Sequence, residues 1–262
     1  MKTSEKASAN FVVPLEELLE AGSHFGHQSK RWNPKMKEYL YTVRGGVHIF
    51  DLVKTAEKLK EAGDYLRDLA AKGGSIVFVG TKRQAQEIIK EEAQKAGAYF
   101  IAERWLGGII TNWEEISKRL RHLEETKVKK EAGEFKKYTK KENVLIDREI
   151  VKLTRFLGGL TGLKAVPDAI VVVDVTREIA AVREAKLRGV TVVAIVDSNA
   201  DPDFADYVIP ANDDAVRSIK LVVAALAKAV AEGKAMGEKK GKRSTEGTES
   251  IRSKKNIINH KS

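Results

Sequence analysis

Hydrophobic residues fall in short unbroken runs at Ser75–Gly80 (SIVFVG), Ala169–Val175 (AIVVVDV), Thr191–Val196 (TVVAIV) and Tyr207–Pro210 (YVIP). Runs of this length, rich in Val and Ile and not alternating with polar residues, predict parallel strands covered on both faces. Ala98–Ala102 (AYFIA) is a weaker fifth. Helical periodicity fills the intervals at Lys54–Ala71, Lys82–Lys95, Arg177–Arg188 and Asp214–Glu232. Gly97 and Gly189 stand where two of these helices should stop, as C-terminal caps. Strand and helix alternating over this length imply an open, mostly parallel α/β sheet wound on both faces. Upstream, Tyr41–Phe50 (YTVRGGVHIF) reads as a small hairpin turning at Gly45-Gly46.

The rhythm breaks between Thr111 and Gly159, where no strand is expected and 22 of the 45 residues from Asn112 to Phe156 are charged. Trp113, Ile116, Leu120 and Leu123 form one apolar seam at helical spacing, and Ile146, Ile150, Leu153 and Leu157 form another. Narrow seams of this kind suit two long helices packed on each other. Ala132-Gly133-Glu134 marks the turn between them, and Thr139-Lys-Lys-Glu142 is a capping box for the second. The segment predicts an antiparallel helical hairpin, coiled-coil in character, inserted into the α/β domain. Its seam residues are expected to pair mainly with each other, so that the hairpin stands apart from the main core.

Composition narrows the function. The chain of 262 residues is 42% hydrophobic, enough for a real core, and carries a formal charge of +10. A basic balance points to nucleic acid or an anionic surface as partner. Half of that excess lies in residues 236–262, where eight Lys/Arg oppose three Glu and apolar residues are scarce. Residues 1–10 and 236–262 are therefore expected to be disordered. The tail either touches RNA phosphates or only aids solubility. Cysteine is absent, which excludes disulfides, thiolate metal sites and cysteine nucleophiles. No apolar run approaches the roughly 20 residues of a membrane span, and the N-terminus has no signal-type segment, so a cytosolic protein is expected.

Ligands in open α/β sheets sit beyond the carboxyl ends of the strands. Those ends carry Gly80-Thr81-Lys82, Asp174, Asp197-Ser198-Asn199 and Asn212-Asp213-Asp214. Neither GxGxxG, GxxxxGK[ST] nor GxSxG occurs. The aspartates could hold a hydrated divalent ion, but Asp and Asn at strand ends also cap helices and make turns. Capping is the reading for Asp213-Asp214, and Asp197 stays open. His24 and His27 are spaced by three, but Gly22 and Gly26 interrupt a helix, so a structural or RNA-contacting pair is expected rather than zinc. If a metal does bind, His27 with Asp197 and Asp213 would supply the ligands.

The densest cluster of unusual residues runs from Ala21 to Phe50. It mixes Lys30, Arg31, Lys35, Lys37 and Arg44 with Trp32, Asn33, Tyr39 and Tyr41. Cations bind phosphate without discrimination, and interleaved aromatics add stacking suited to unpaired bases. Taken singly, Trp32, Tyr39 and Tyr41 also fit core positions. A second cluster, Arg104-Trp105-Leu106-Gly107-Gly108 followed by Thr111-Asn112-Trp113, stands where the insertion leaves the sheet. Glycines there allow close backbone approach.

Taken together, AGSHFGHQSKRWNPKMKEYLY, VHIFDLVKT, FVGTKRQA, RWLGGIITNW, PDAIVVVDV and AIVDSNADPDFADYVIPANDDAVRSI make the chain resemble the bacterial small-subunit ribosomal protein S-two family. The resemblance runs from about Leu15 to Glu232. It implies a flavodoxin-like doubly wound parallel sheet with a protruding helical hairpin, on the solvent side of the small subunit between head and body. It implies ribosomal RNA and other small-subunit proteins as partners, among them the large messenger-binding one that this family helps to anchor. The hairpin points to the bacterial or organellar branch. The expected organisation is an α/β domain over 11–111 and 159–235, an inserted hairpin over 112–158, and the two terminal segments.

The residues expected to face RNA are Lys30, Arg31, Trp32, Asn33, Lys35, Lys37, Arg44, Lys82, Arg83, Arg104, Trp105 and Asn112. No catalytic residue, cofactor, metal, membrane or small-molecule substrate is expected. The alternative is an α/β enzyme or a sugar-phosphate or nucleotide-binding module using the aspartate-rich sheet edge.

Overall fold

Before the alternation begins, the chain builds a small module that the apolar pattern only half announces. The computed structural model describes residues 13–258, with side chains as far as Lys239. The expectation for residues 1–10 lies outside the described residues, as does that for 259–262, whereas over 236–258 the backbone is helical where disorder was expected. A short helix α1 (Leu15–Glu20) leads into strands β1 (Phe25–Gln28), β2 (Leu40–Arg44) and β3 (Val47–Phe50). They form an antiparallel sheet in the order β1-β3-β2. Gly45 and Gly46 take φ of 59° and 77°, the positive pair that a type I′ hairpin turn requires. Strand β1 was not expected, because Phe-Gly-His-Gln shows no alternation. Its glycine is dictated by packing: a Cβ on Gly26 would lie 2.8 Å from Ser198 Oγ and 3.2 Å from the His48 carbonyl.

After helix α2 (Leu52–Ala71) come β4 (Ile76–Val79), helix α3 (Gln86–Lys95) and β5 (Tyr99–Ile101). The arm helices α4 (Trp113–Glu131) and α5 (Lys140–Leu157) follow, and then β6 (Ala169–Val173), α6 (Ile179–Leu187), β7 (Thr191–Val196), β8 (Tyr207–Pro210) and α7 (Val216–Ile258). Strands β4 to β8 make a parallel sheet in the order β5-β4-β6-β7-β8. The chain-order second strand therefore lies outside the first, which is the flavodoxin-like arrangement. Successive strand residues point to opposite faces. Phe78, Val171 and Ile195 meet α2, α3 and α7 on one face. Val77, Val172 and Ala194 meet α6 on the other.

The two faces are covered unequally, and this changes the expected role of the arm. α6 has only 9 residues, so it leaves part of its face bare. Ile116, Leu120 and Leu157, from the root of the arm, fill that space and join the same core. The seam therefore divides: its root packs on the sheet, while Ile146 and Ile150 farther out stay half-buried. The turn at Gly133 (φ 75°) and the Thr139–Glu142 capping box form as expected. Gly97 and Gly189 end their helices at φ of 62° and 68°. The last helix does not stop at Glu232. Gly233 lies so close to α2 that a Cβ there would come 2.2 Å from the Arg67 carbonyl, and the helix continues to Ile258. Among the described residues, no helix is long and apolar enough to cross a membrane.

Candidate nucleic-acid interface

In this strand order the ligand crevice of the sheet lies at the carboxyl ends of β4 and β6, where the connection reverses direction. The crevice is filled by the chain's own charges. Lys82 Nζ lies 2.7 Å from Asp213 Oδ1, 2.6 Å from Asp214 Oδ1 and 3.3 Å from Asp174 Oδ2. Thr81 donates from its backbone N–H (2.8 Å) and hydroxyl (2.6 Å) to the buried Glu178 carboxylate. Asp174 is the one non-glycine residue with positive φ (67°) among those described, and its Oδ1 accepts from the Arg177 N–H at 3.0 Å. Helix α3 starts at Gln86 rather than Lys82, because residues 81 and 82 turn into this network.

The electrostatics follow from burial and crowding. Burial raises the Asp213 pKa first, and the neighbouring Asp197 and Asp174 carboxylates add to it. Lys82 opposes them, leaving the group at about 7. Burial works to lower the Lys82 pKa, but its hydrogen bonds to Asp213 and Asp214 and the charges of Asp213 and Asp174 overcome it, and the net shift is upward. His27 projects from β1 into the same edge, with Nδ1 3.0 Å from Asp197 Oδ1 and Nε2 3.4 Å from Asp214 Oδ2. Its pKa is raised, chiefly by the hydrogen bond to Asp197.

His27, Asp197 and Asp213 place one ligand atom each within 4.8 Å of one another, the trio that the sequence marks for a metal. His27 and Asp197 already face each other, and the Asp213 carboxylate faces the Lys82 ammonium. The capping expectation for Asp213-Asp214 is corrected. Asn212 closes the turn ahead of α7, its Oδ1 accepting from Asp214 N (2.8 Å) and Ala215 N (3.0 Å), while the Asp213 side chain is drawn inward by Lys82.

The residues expected to face RNA fall into two groups. In the first, Lys30, Arg31, Lys37 and Arg44 are exposed and make no ion pair among the described residues. Asn33 Oδ1 accepts from Lys35 N (3.0 Å), and its own N–H donates to the Ser198 carbonyl (2.7 Å), which seats the loop on the sheet edge. Trp32 is half-buried, its ring 4.9 Å from that of His48. Lys35 is engaged within the chain, 2.8 Å from Asp201 and 2.5 Å from Asp203, and Lys82 is held as described. Arg83 is exposed. Tyr41, which fits a core position by sequence, is 77% exposed and lies on the same strand, β2, as Arg44. A bulge between Leu40 and Thr42 breaks the alternation from which its direction could be read.

In the second group Arg104 and Asn112 are exposed, but Trp105 is only 7% exposed. Its indole N–H donates to Glu184 on α6 at 3.0 Å. The Glu184 carboxylate also accepts from Gly108 N (2.8 Å), Ile110 N (3.1 Å), Thr111 N (3.1 Å) and Thr111 Oγ1 (3.0 Å). Burial pushes its pKa up, but these hydrogen bonds prevail and hold it below the usual value. Glu184 carries no motif of its own and was not singled out by sequence. A comparison with protein-family models matches residues 18–233 to the family described as Ribosomal protein S2.

Proposed function

This chain belongs to the ribosomal protein S2 family, whose members are structural parts of the small ribosomal subunit rather than enzymes, and from that premise we propose how it binds there. It contacts small-subunit ribosomal RNA at the head–body junction and helps anchor the large messenger-binding protein. The first RNA surface is the N-terminal sheet, through Lys30, Arg31, Lys37 and Arg44 with Asn33 and the aromatic faces of Trp32 and Tyr41. The second is the root of the arm, through Arg104 and Asn112, with Arg83 on the adjoining edge. The arm over 112–158 is a docking element built onto the α/β domain. Lys35, Lys82 and Trp105 serve this function indirectly, because each is held by partners within the chain.

The observation that carries the reading is the contrast between two neighbouring surfaces. Cations on the N-terminal sheet are exposed and uncompensated among the described residues, whereas the fold's own ligand crevice is occupied by paired charges. Salt dependence tests it. Glutamine at Lys30, Arg31, Lys37 and Arg44 should flatten the slope of log affinity against log salt by roughly 0.7–0.9 for each true phosphate contact. Lys35→Gln should change it little. An unchanged slope in the fourfold variant removes this surface, and failure of the wild type to comigrate with small subunits on a gradient removes the assembly role.

A further inference from the structure

We propose that Glu184 is the positioning residue of the helical arm: one carboxylate ties the loop between β5 and α4 to α6 and fixes the direction in which the arm leaves the sheet. The link from direction to assembly rests on the proposed docking role of the arm; the link from Glu184 to direction does not.

Between Ile101 and Trp113 the chain forms neither strand nor helix, so its backbone N–H groups need partners from elsewhere. Glu184 supplies them. Oε1 accepts from the Trp105 indole and Gly108 N, and Oε2 from Ile110 N and from both donors of Thr111. The last of these donors lies two residues before α4 begins at Trp113. Only a carboxylate suits the task, because it is acceptor-only and offers about four lone-pair sites. Glutamine has nearly the same shape, but its NH2 would face N–H groups. Glu184 is itself held firmly, since Ala181, Val182 and Ala185 of α6 are fully buried against the sheet. Gly108, at φ 92°, lets the loop fold back over the carboxylate.

The other root of the arm is clamped separately. Arg155 donates Nε (3.0 Å) and Nη2 (2.7 Å) to Glu103, and Gly159 lies so close to β5 that a Cβ would come 2.1 Å from the Phe100 carbonyl. An arm held at one root pivots, whereas one held at two has a single direction. The lever is long: the 19 residues of α4 span about 28 Å, so a swing of about 10° at the root moves the tip by about 5 Å.

Because the chain has no cysteine, spin labels can be placed by Glu131→Cys at the exposed end of α4 and Lys72→Cys at the exposed end of α2 in the full chain. Wild type should give one narrow distance distribution. Glu184→Gln should broaden it or shift it by several ångströms, and should lose several-fold in competition with wild type for reconstitution into small subunits. If Glu184→Gln does not fold, Thr111→Val removes a single donor and should broaden the distribution by less. Val223→Ala, in the core on the opposite sheet face, should lower Tm and leave the distance unchanged. An unchanged distribution in Glu184→Gln, or equal broadening in Val223→Ala, overturns the proposal. Broadening with normal incorporation upholds the positioning role and removes the docking role of the arm.

Discussion

Replacing Lys82 by methionine keeps an unbranched stem and removes the ammonium that three aspartates face. Lys82 is 11% exposed and Asp213 only 2%, so this pair lies where losing one partner strands a buried charge, a loss of about 3–5 kcal/mol. Asp214 is 52% exposed, and its share falls in the 0–1 kcal/mol range of surface pairs. Asp213 can also take up a proton near neutrality, which relieves part of the penalty. The lower figure, about 3 kcal/mol at pH 7, is therefore expected, and for a chain of this size it corresponds to a fall in Tm of roughly 6–12 °C.

The pH dependence sharpens the test. The folded-state pKa of Asp213, at about 7, lies above the ordinary aspartate value of 3.8, so the fold favours the protonated form. Its contribution to stability is complete at low pH and declines as pH rises through that window. Without Lys82 the folded pKa moves higher still, and the decline deepens. The Tm difference between wild type and Lys82→Met should be largest at pH 8 and shrink towards pH 5. A difference that is flat with pH, or under about 1 °C, would refute the network. The same variant separates two roles for Lys82: a stability loss with an unchanged salt slope for RNA marks an intramolecular partner.

Other expectations are more local. Asn212→Ala removes two side-chain hydrogen bonds from the turn that leads into α7 and should cost about 1 kcal/mol in denaturant unfolding, while Asp214→Ala should cost less. Gly159→Ala drives a methyl group into the β5 backbone and should lower Tm sharply, whereas Gly107→Ala, with open space around it, should not. Exchanging residues 117–151 for a Gly/Ser linker removes Leu120, which is 4% exposed in the sheet-face core. A loss of about 2–5 kcal/mol should follow. A shorter exchange of 124–146 keeps Leu120 and Leu153 and should leave the α/β unit close to wild-type stability, as circular dichroism and thermal melts would show.

The sheet was legible because its information is local: five apolar runs, with glycines at two helix ends, carry their own spacing. The meeting of Asp197 and Asp213 was legible for a different reason, since strand ends of a parallel sheet share one edge, and His27 reaches that edge from β1 of the other sheet. What escaped depends on partners distant in the chain. Trp105 in a basic, glycine-rich loop looks the same whether it stacks on a base or anchors the loop, and the deciding group, Glu184, lies 79 residues away. Lys82 reads as a phosphate contact until β8 delivers Asp213 beside it. The division of the arm's seam follows from the shortness of α6, which no pattern within residues 112–158 records.

These long-range pairings also set what the carboxyl edge of this architecture offers a phosphate. A phosphate held at the carboxyl edge of such a sheet needs uncommitted cations or N–H groups pointing outward. Here the edge presents Asp174, Asp197, Asp213 and Asp214 paired with Lys82 and His27, with Glu178 and Arg177 joined to them through Thr81. Its local charge is therefore negative or neutral, and a phosphate arriving there would be repelled while also having to displace formed pairs. The strain at Asp174 is maintained within that closed network. Above the edge, the N-terminal sheet is fastened by Asn33 and His27 to the loop after β7. Its Lys and Arg side chains remain exposed, a few residues from the seal in sequence. The same contacts that close the crevice thus hold a rigid basic cap over it. In the proposed assembly role the cap presents charge to a large, fixed partner rather than enclosing a small one.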